Sequence, residues 1–500
     1  MPKKTLASAD REMLDKLWSE PVERTVLANG LTVLVKADRS AALASVQVWV
    51  RTGSIHEEGH LGAGLSHYLE HMLFKGTERR AGKEISATVQ AHGGYINAYM
   101  TFDRTVYYID LPSEGVEVAV DVLADAVLHS TLPEDEVARE KDVILREIAM
   151  VRDDPDSRLW EALFSTAFRE HPYRQPIIGH RDVFAAADRA ALADYYRRRY
   201  VPNNMVVVIT GDVEPASALA LVERHFGAAP RSRLAPVLVP VEPLQLGPRT
   251  VRRVEKVEIV RAVLAWPIPG LADPEAPALD LLGLVLGGGE SSVLWQEIRD
   301  KRNLVHSIDA SSWNPGTSGL FCISFVCDAG KREEAEREIL RVVRRCGRQR
   351  PFLPAEVRKA YRQSVVSEIN TRKTMSGQAS RLGAAEVVIG DLEFGRTYFG
   401  RLARVGPSEL ARTLARHLVA GRMTSVSIEP AGAEKGPGSR AAQGGGGRTD
   451  FDLVRLQNGA RILLQEDRHL PNVHFRLITL GGPLVEEPSR RGSSSLLATL

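Results

Sequence analysis

Cysteine is scarce in this chain. There are three in 500 residues, Cys322, Cys327 and Cys346. That is too few for a disulfide framework, and the lack of a C-x-x-C pair excludes a cysteine-built zinc site. Cys322 and Cys327 fall in one apolar run and read as buried strand residues. The low count fits a reducing compartment. An excess of one charge is also lacking: Lys+Arg 65 against Asp+Glu 63 leaves a net charge of +2. Bulk charge therefore points to no nucleic acid and no anionic membrane as partner. No run approaches about 18 consecutive apolar residues, so no membrane span is expected. The opening stretch MPKKTLASADREMLDKLWSE carries two lysines, but Asp10, Arg11, Glu12 and Asp15 interrupt any apolar segment behind them. No signal peptide is read there, and a cytoplasmic location is expected.

What is present is ordinary globular material, 44% hydrophobic and 26% charged. The length suits roughly two to four domains. Strands are expected at residues 32–36, after the Asn29-Gly30 turn signal, and at 45–51. Helical spacing follows over 62–75, a Gly93-Gly94 turn, and an alternating strand at 105–111. Residues 116–129 and 134–151 read as helices, the second opening with Pro133, Glu134 and Asp135. A buried-type strand is expected over 205–210. This mixed order points to an α+β fold in layers.

The chain is read as an amino-terminal extension over 1–20, a first domain over 21–235 and a second mixed domain over 245–430. Pro230–Pro243 marks the boundary between them. Residues 431–449, with GPG and GGGG, read as a flexible linker. Beyond it, LQNGARILLQEDR from Leu456 echoes LANGLTVLVKADR from Leu27, at an offset of 429 without a gap. Residues 450–500 are accordingly expected to begin a second copy of the first unit, and the chain to be a fragment of a longer two-copy protein. Leucine stands near the place of His67 in that copy, so one metal per pair of halves is expected.

Residues 67–71 read His-Tyr-Leu-Glu-His, an H-x-x-E-H motif. On a helix, positions i and i+4 share a face, so His67 and His71 can reach one ion. Neutral imidazole suits zinc at about 2.0–2.1 Å. Glu70 sits where its carboxylate can take a proton from an attacking water. A catalytic zinc takes a third protein ligand, and Glu147, in the expected helix 134–151, is the candidate. Glu140 lies two turns earlier on the same face, placed to orient a histidine N–H or the water. Alone, H-x-x-E-H leaves a metal site and a solvated helix face equally open, and Glu140 and Glu147 alone read as surface charges.

The segment GAGLSHYLEHMLFKGT, residues 62–77, resembles the pitrilysin/insulinase family of zinc peptidases, the inverzincins, which includes the mitochondrial processing peptidase. Glu147 stands at that family's third-ligand spacing and Glu140 at its accompanying glutamate. GGYINAYMTFDRTVYY, HPYRQPIIG, YVPNNMVVVITGDV and LGGGESSVLWQEI are similar to the family too. The resemblance covers roughly residues 20–430 and restarts near 451. It implies two similar mixed α/β-layer domains forming one half of a clamshell, with a second half enclosing unfolded peptide. It implies a zinc endopeptidase, one Zn2+ per chain, with zinc-activated water as nucleophile and Glu70 as general base. Asn97 and Ala98 match the positions that bind substrate backbone; a turn-stabilising role is the alternative for Asn97. A non-catalytic partner subunit of the same fold is the alternative for the whole chain.

The pattern departs from the family in the second domain. An Arg and a Tyr seven residues apart are expected from the half opposite the zinc, to bind substrate and steady the oxyanion. Arg299 is kept here, but His306 stands in the tyrosine's place. Imidazole donates a hydrogen bond with different reach and pKa. The pair therefore comes either from a half beyond residue 500 or from another subunit. Gly287-Gly288-Gly289 lacks the G-x-x-x-x-G-K-[ST] pattern and reads as a tight turn.

Overall fold

A computed structural model describes Trp18 and residues 21–431, 452–458 and 461–464. The expected linker, 431–449, lies almost wholly outside the described residues. The chain divides after residue 434 into two units.

The first unit is built on two sheets. The first has six strands in the order β1-β2-β6-β3-β5-β4. They are β1 (Glu23–Val26), β2 (Thr32–Ala37), β3 (Leu43–Val50), β4 (Tyr95–Met100), β5 (Thr105–Pro112) and β6 (Met205–Gly211). Helices α1 (Leu65–Met72), α2 (Gly82–Ala91), α3 (Val116–Leu128) and α4 (Glu134–Asp153) come between β3 and β6. So do α5 (Pro155–Ala167), α6 (Arg181–Ala186) and α7 (Arg189–Arg199), while α8 (Pro215–Phe226) follows β6.

Two-residue alternation decides what each face meets. Val33, Val35, Val46, Val48, Val207 and Ile209 pack in one core with Leu65, Leu69, Val120, Leu123 and Ile144 of the helices. The intervening Leu34, Trp49, Val106, Val206 and Val208 face the other way, onto Ala379 and Leu382. Both faces are therefore covered, which is why β6 reads MVVVITG without polar alternation and is buried throughout.

The second sheet has the order β7-β11-β8-β10-β9. Its strands are β7 (Arg249–Glu255), β8 (Val260–Pro269), β9 (Ser307–Trp313), β10 (Ser318–Cys327) and β11 (Thr424–Pro430). Its helices are α9 (Ala276–Gly287), α10 (Arg332–Arg345), α11 (Pro354–Arg372), α12 (Met375–Ala384), α13 (Phe394–Leu402) and α14 (Pro407–His417). The pairings repeat those of the first sheet. β11 lies parallel to β7 and antiparallel to β8, as β6 lies parallel to β2 and antiparallel to β3. The two domains of mixed α/β layers expected from sequence are present, and they share one topology.

Each domain lends the other a helix. Ala379 of α12, from the second half of the sequence, covers the first sheet. Leu159, Ala162 and Leu163 of α5 cover Val263, Ala265, Cys322, Val426 and Ile428 on the second. Cys322 and Cys327 are both buried in β10, in different cores. Among the described residues, no helix is long and apolar enough to cross a membrane.

The second unit shows an antiparallel hairpin, β12 (Asp452–Arg455) with β13 (Arg461–Leu464). Asp452 pairs with Leu464 there, as Glu23 pairs with Val35 in the first hairpin. Both partners stand 429 positions on, the offset of the sequence echo.

Candidate metal centre

The short helix α1 has one apolar stripe. Leu65, Tyr68, Leu69 and Met72 fall at i, i+3, i+4 and i+7 and are fully buried. That burial turns His67, Glu70 and His71 to the opposite side. The helix is shorter than the 62–75 stretch suggested, because Gly62 and Gly64 both adopt positive φ before it. Helix α4 packs alongside through Ile144 and Ile148. The Tyr68 hydroxyl donates to the Val137 carbonyl and fixes the two helices against each other.

Three side chains converge where the helices meet. His67 Nε2 lies 3.7 Å from Glu147 Oε1, and His71 Nε2 lies 3.8 Å from Glu147 Oε2. The two imidazole centroids are 4.7 Å apart. One donor atom from each of the three falls within 4.8 Å of the others. These separations are too long for hydrogen bonds. A tetrahedral zinc with bonds of about 2.0–2.1 Å sets its ligand atoms roughly 3.4 Å apart, so a small closure would fit the ion. Two imidazoles and a carboxylate are also the donor chemistry zinc takes.

The electrostatics agree with that fit. Burial, then the neighbouring His71, pushes the His67 pKa down to about 3, so its ring stays neutral with a lone pair free to ligate. His67 Nδ1 is buried and has no hydrogen-bond partner among the described residues. His71 is held by its other nitrogen: Nδ1 lies 3.1 Å from Glu140 Oε2. Lys75 Nζ donates to Glu140 Oε1 at 2.5 Å. Burial raises the Glu140 carboxyl, but the bonds from Lys75 and His71 outweigh it and hold it below its ordinary value. Burial also raises Glu70, with His71 pulling it down and Glu147 pushing it up, so its carboxyl feels both.

The remaining expected residues fall in two places. Asn97 and Ala98 lie on β4, at the end of the sheet order. Asn97 is exposed, with Nδ2 donating to the Tyr95 hydroxyl at 2.5 Å and Oδ1 accepting from the Ala98 N–H at 2.8 Å. Arg299 and His306 are in the second domain and are tied to each other. Arg299 Nε donates to the His306 carbonyl at 2.9 Å, and its guanidinium lies 4.3 Å over the Trp295 ring. His306 Nε2 lies 2.9 Å from Asp328 Oδ1. No contact joins either to His67, His71 or Glu147 among the described residues. Gly287 closes α9 and the chain bends away at Gly288 and Gly289, with Gly289 at φ 86°.

A cavity of about 550 Å3 opens beside the cluster, lined by His67 and Glu147 and by Phe102, Trp160, Phe164 and Trp313. Sequence reading missed this aromatic wall, since Trp313 comes from the second sheet and only folding brings it near. It also missed Lys75, whose only signal was its place in the family-like segment, and Glu57, for which nothing in the sequence signalled a role at the site.

Residues 32–181 match the family model described as insulinase (peptidase family M16), and residues 186–364 match the peptidase M16 inactive domain. An uncharacterized zinc protease of Mycobacterium leprae is 36% identical over 331 residues, spanning 65% of this chain and 73% of that one. The chain belongs to the M16 (insulinase) family of peptidases. An uncharacterized zinc protease of Mycobacterium bovis is 32% identical over 421 residues, 82% of this chain and 94% of the relative. Among solved structures, a protease from Helicobacter pylori superposes with a TM-score of 0.77 at 25% identity, covering 82% of this chain and all of that one. At family level the M16 chain is thus a hydrolase of peptidase type, and its curated relatives carry the name of zinc proteases. The two M16 models meet before β6, so the first sheet takes a central strand from the region matched by the second model.

Proposed function

We propose that this chain is a zinc-dependent endopeptidase acting on extended polypeptide, with one zinc held by His67, His71 and Glu147. The observation that carries the proposal is the convergence of those three donor groups, with Glu70 on the same helix as the two histidines. Bound zinc supplies a Lewis acid that lowers the pKa of water and polarises a carbonyl. Glu70 accepts the proton of the attacking water as it adds to the scissile carbonyl, then returns it to the leaving amine. Its partly buried, raised carboxyl suits a group that must both take and give a proton. Glu140, ionised beside Lys75, holds His71 by Nδ1 so that Nε2 faces the metal position.

The edge strand β4 offers its backbone to an extended peptide, with Asn97 and Ala98 as contacts. The aromatic wall of the adjoining cavity takes a substrate side chain. A second half, on the same chain or another, supplies the Arg and Tyr that Arg299 and His306 do not replace. The recurrence of the β1–β2 register in the β12–β13 hairpin supports such a second copy.

The test is Glu70→Gln, assayed for cleavage of a quenched peptide and for bound zinc by metal analysis. Cleavage is expected to fall at least 100-fold, within the range of a lost general base, with zinc retained at one per chain. Undiminished cleavage, or loss of the metal, would overturn the role given to Glu70.

A further inference from the structure

Helix α1 starts without a side-chain cap. Its N-cap is Gly64 at φ 67°, and a Cβ there would come within 2.3 Å of the Ile178 carbonyl oxygen. No Ser, Thr or Asp can occupy that position, so the first N–H groups of the helix need a partner from elsewhere. Glu57 provides it. Its Oε2 accepts from the Gly64 N–H at 3.0 Å and its Oε1 from the Ser66 N–H at 2.8 Å. The residue is 1% exposed. Burial pushes its carboxyl up to about 7, against the lowering effect of the N–H groups it accepts from.

The same turn is held from a second side. Ser66 Oγ lies 2.8 Å from the Tyr195 hydroxyl, which lies 3.2 Å from Thr52 Oγ1. Ser66 immediately precedes His67, and α1 is only eight residues long. A turn lost at its start would therefore reach His67 directly, and α1 is too short to hold itself without tertiary support.

We propose that Glu57 is a positioning residue for the metal centre. Its carboxylate fixes the first turn of α1 and thereby aims His67 and His71 at Glu147. This rests on reading those three residues as zinc ligands. Glu57 itself touches neither metal nor substrate; it acts through the Gly64 and Ser66 backbone.

The experiment uses the full chain with Glu57→Gln, which sets an amide NH2 against one of the two N–H donors. Zinc affinity is measured by competition with a chromophoric chelator, and the visible absorption of the cobalt(II)-loaded protein is recorded at saturating metal. Affinity is expected to fall about 10-fold or more, the scale of outer-shell losses, and the cobalt bands to change in position or intensity. Glu368→Gln, which removes a buried carboxylate paired with Arg372 and Arg381, serves as the control and should leave both readouts unchanged.

Glu57→Asp keeps the charge with a shorter reach. It is expected to recover part of the affinity, and it carries the test should Glu57→Gln fail to fold. Native affinity and an unchanged cobalt spectrum in the Gln variant, or in the Asp variant where only that one folds, would overturn the proposal. Native chain that binds no zinc would instead remove the ligand assignment beneath it.

Discussion

Glu140 Oε2 lies 3.1 Å from His71 Nδ1, and the carboxylate's other oxygen is bound by Lys75. A carboxylate only accepts, so His71 donates from Nδ1 and turns Nε2 toward Glu147. Glu140→Gln keeps the shape and removes the charge. Zinc affinity is expected to drop roughly 10–100-fold, read by chelator competition, with the melting temperature nearly unchanged. Equal affinity in the two proteins would take Glu140 out of the centre.

The chain by itself is expected to bind zinc and to cleave slowly. Arg299 is bound to the His306 carbonyl and stacked on Trp295, and His306 is bound to Asp328, so neither stands free beside the metal cluster. Steady-state kinetics on the isolated monomer, with chelator as control, check this. A turnover near the typical enzyme value of about 10 s−1 would mean that no second half is needed.

Gly383 of α12 packs directly against Trp49 of the first sheet. A Cβ added there would stand 2.1 Å from Trp49 Cε2, inside a fully buried indole. Gly383→Ala is expected to destabilise the protein by about 1–3 kcal/mol, the usual cost of overpacking. Denaturant unfolding followed by tryptophan fluorescence measures it. Zinc content should be unaffected, since α12 covers the face of the sheet opposite α1.

Glu386 ties the second domain to the edge of the first. Arg24 donates to it twice, at 3.0 Å each, and Arg51 Nη2 lies 3.2 Å away. The Arg24 hydrogen bonds, the largest influence, hold its carboxyl below the ordinary 4.5. The native state thus favours the ionised form more than the unfolded chain does. That stability is present above the ordinary carboxylate range and is lost as pH falls through the lowered value. Glu386→Gln should therefore melt below the native protein at pH 7, and the gap should close as the solution is acidified. A gap of constant size down to strongly acidic pH would contradict this account.

Much of the first domain was legible because its signals are local. The Asn29-Gly30 turn, the alternation in β5 and the charged first turn of α4 each act over a few residues. The histidine pair was legible for the same reason, since His67 and His71 share a helix face by spacing alone. Glu147 was a candidate from its expected helix, and the family's ligand spacing singled it out. Nothing local distinguishes it from the other glutamates of α4. The exchange of α5 and α12 between the sheets was not legible, because an amphipathic helix shows that it has a partner but not which one.

The sequence alone determined β2, β3, β5, β6, α3 and α4, the repeated segment with its 429-residue offset, and the two imidazoles on one side of α1. Each follows from backbone periodicity and turn chemistry. Only the tertiary structure decided that Glu147 meets those imidazoles, that Glu140 holds one of them, and that Glu57 caps their helix. Those contacts join residues seven to eighty positions apart, and such approaches are fixed by the packing of buried apolar faces rather than by the polar residues themselves.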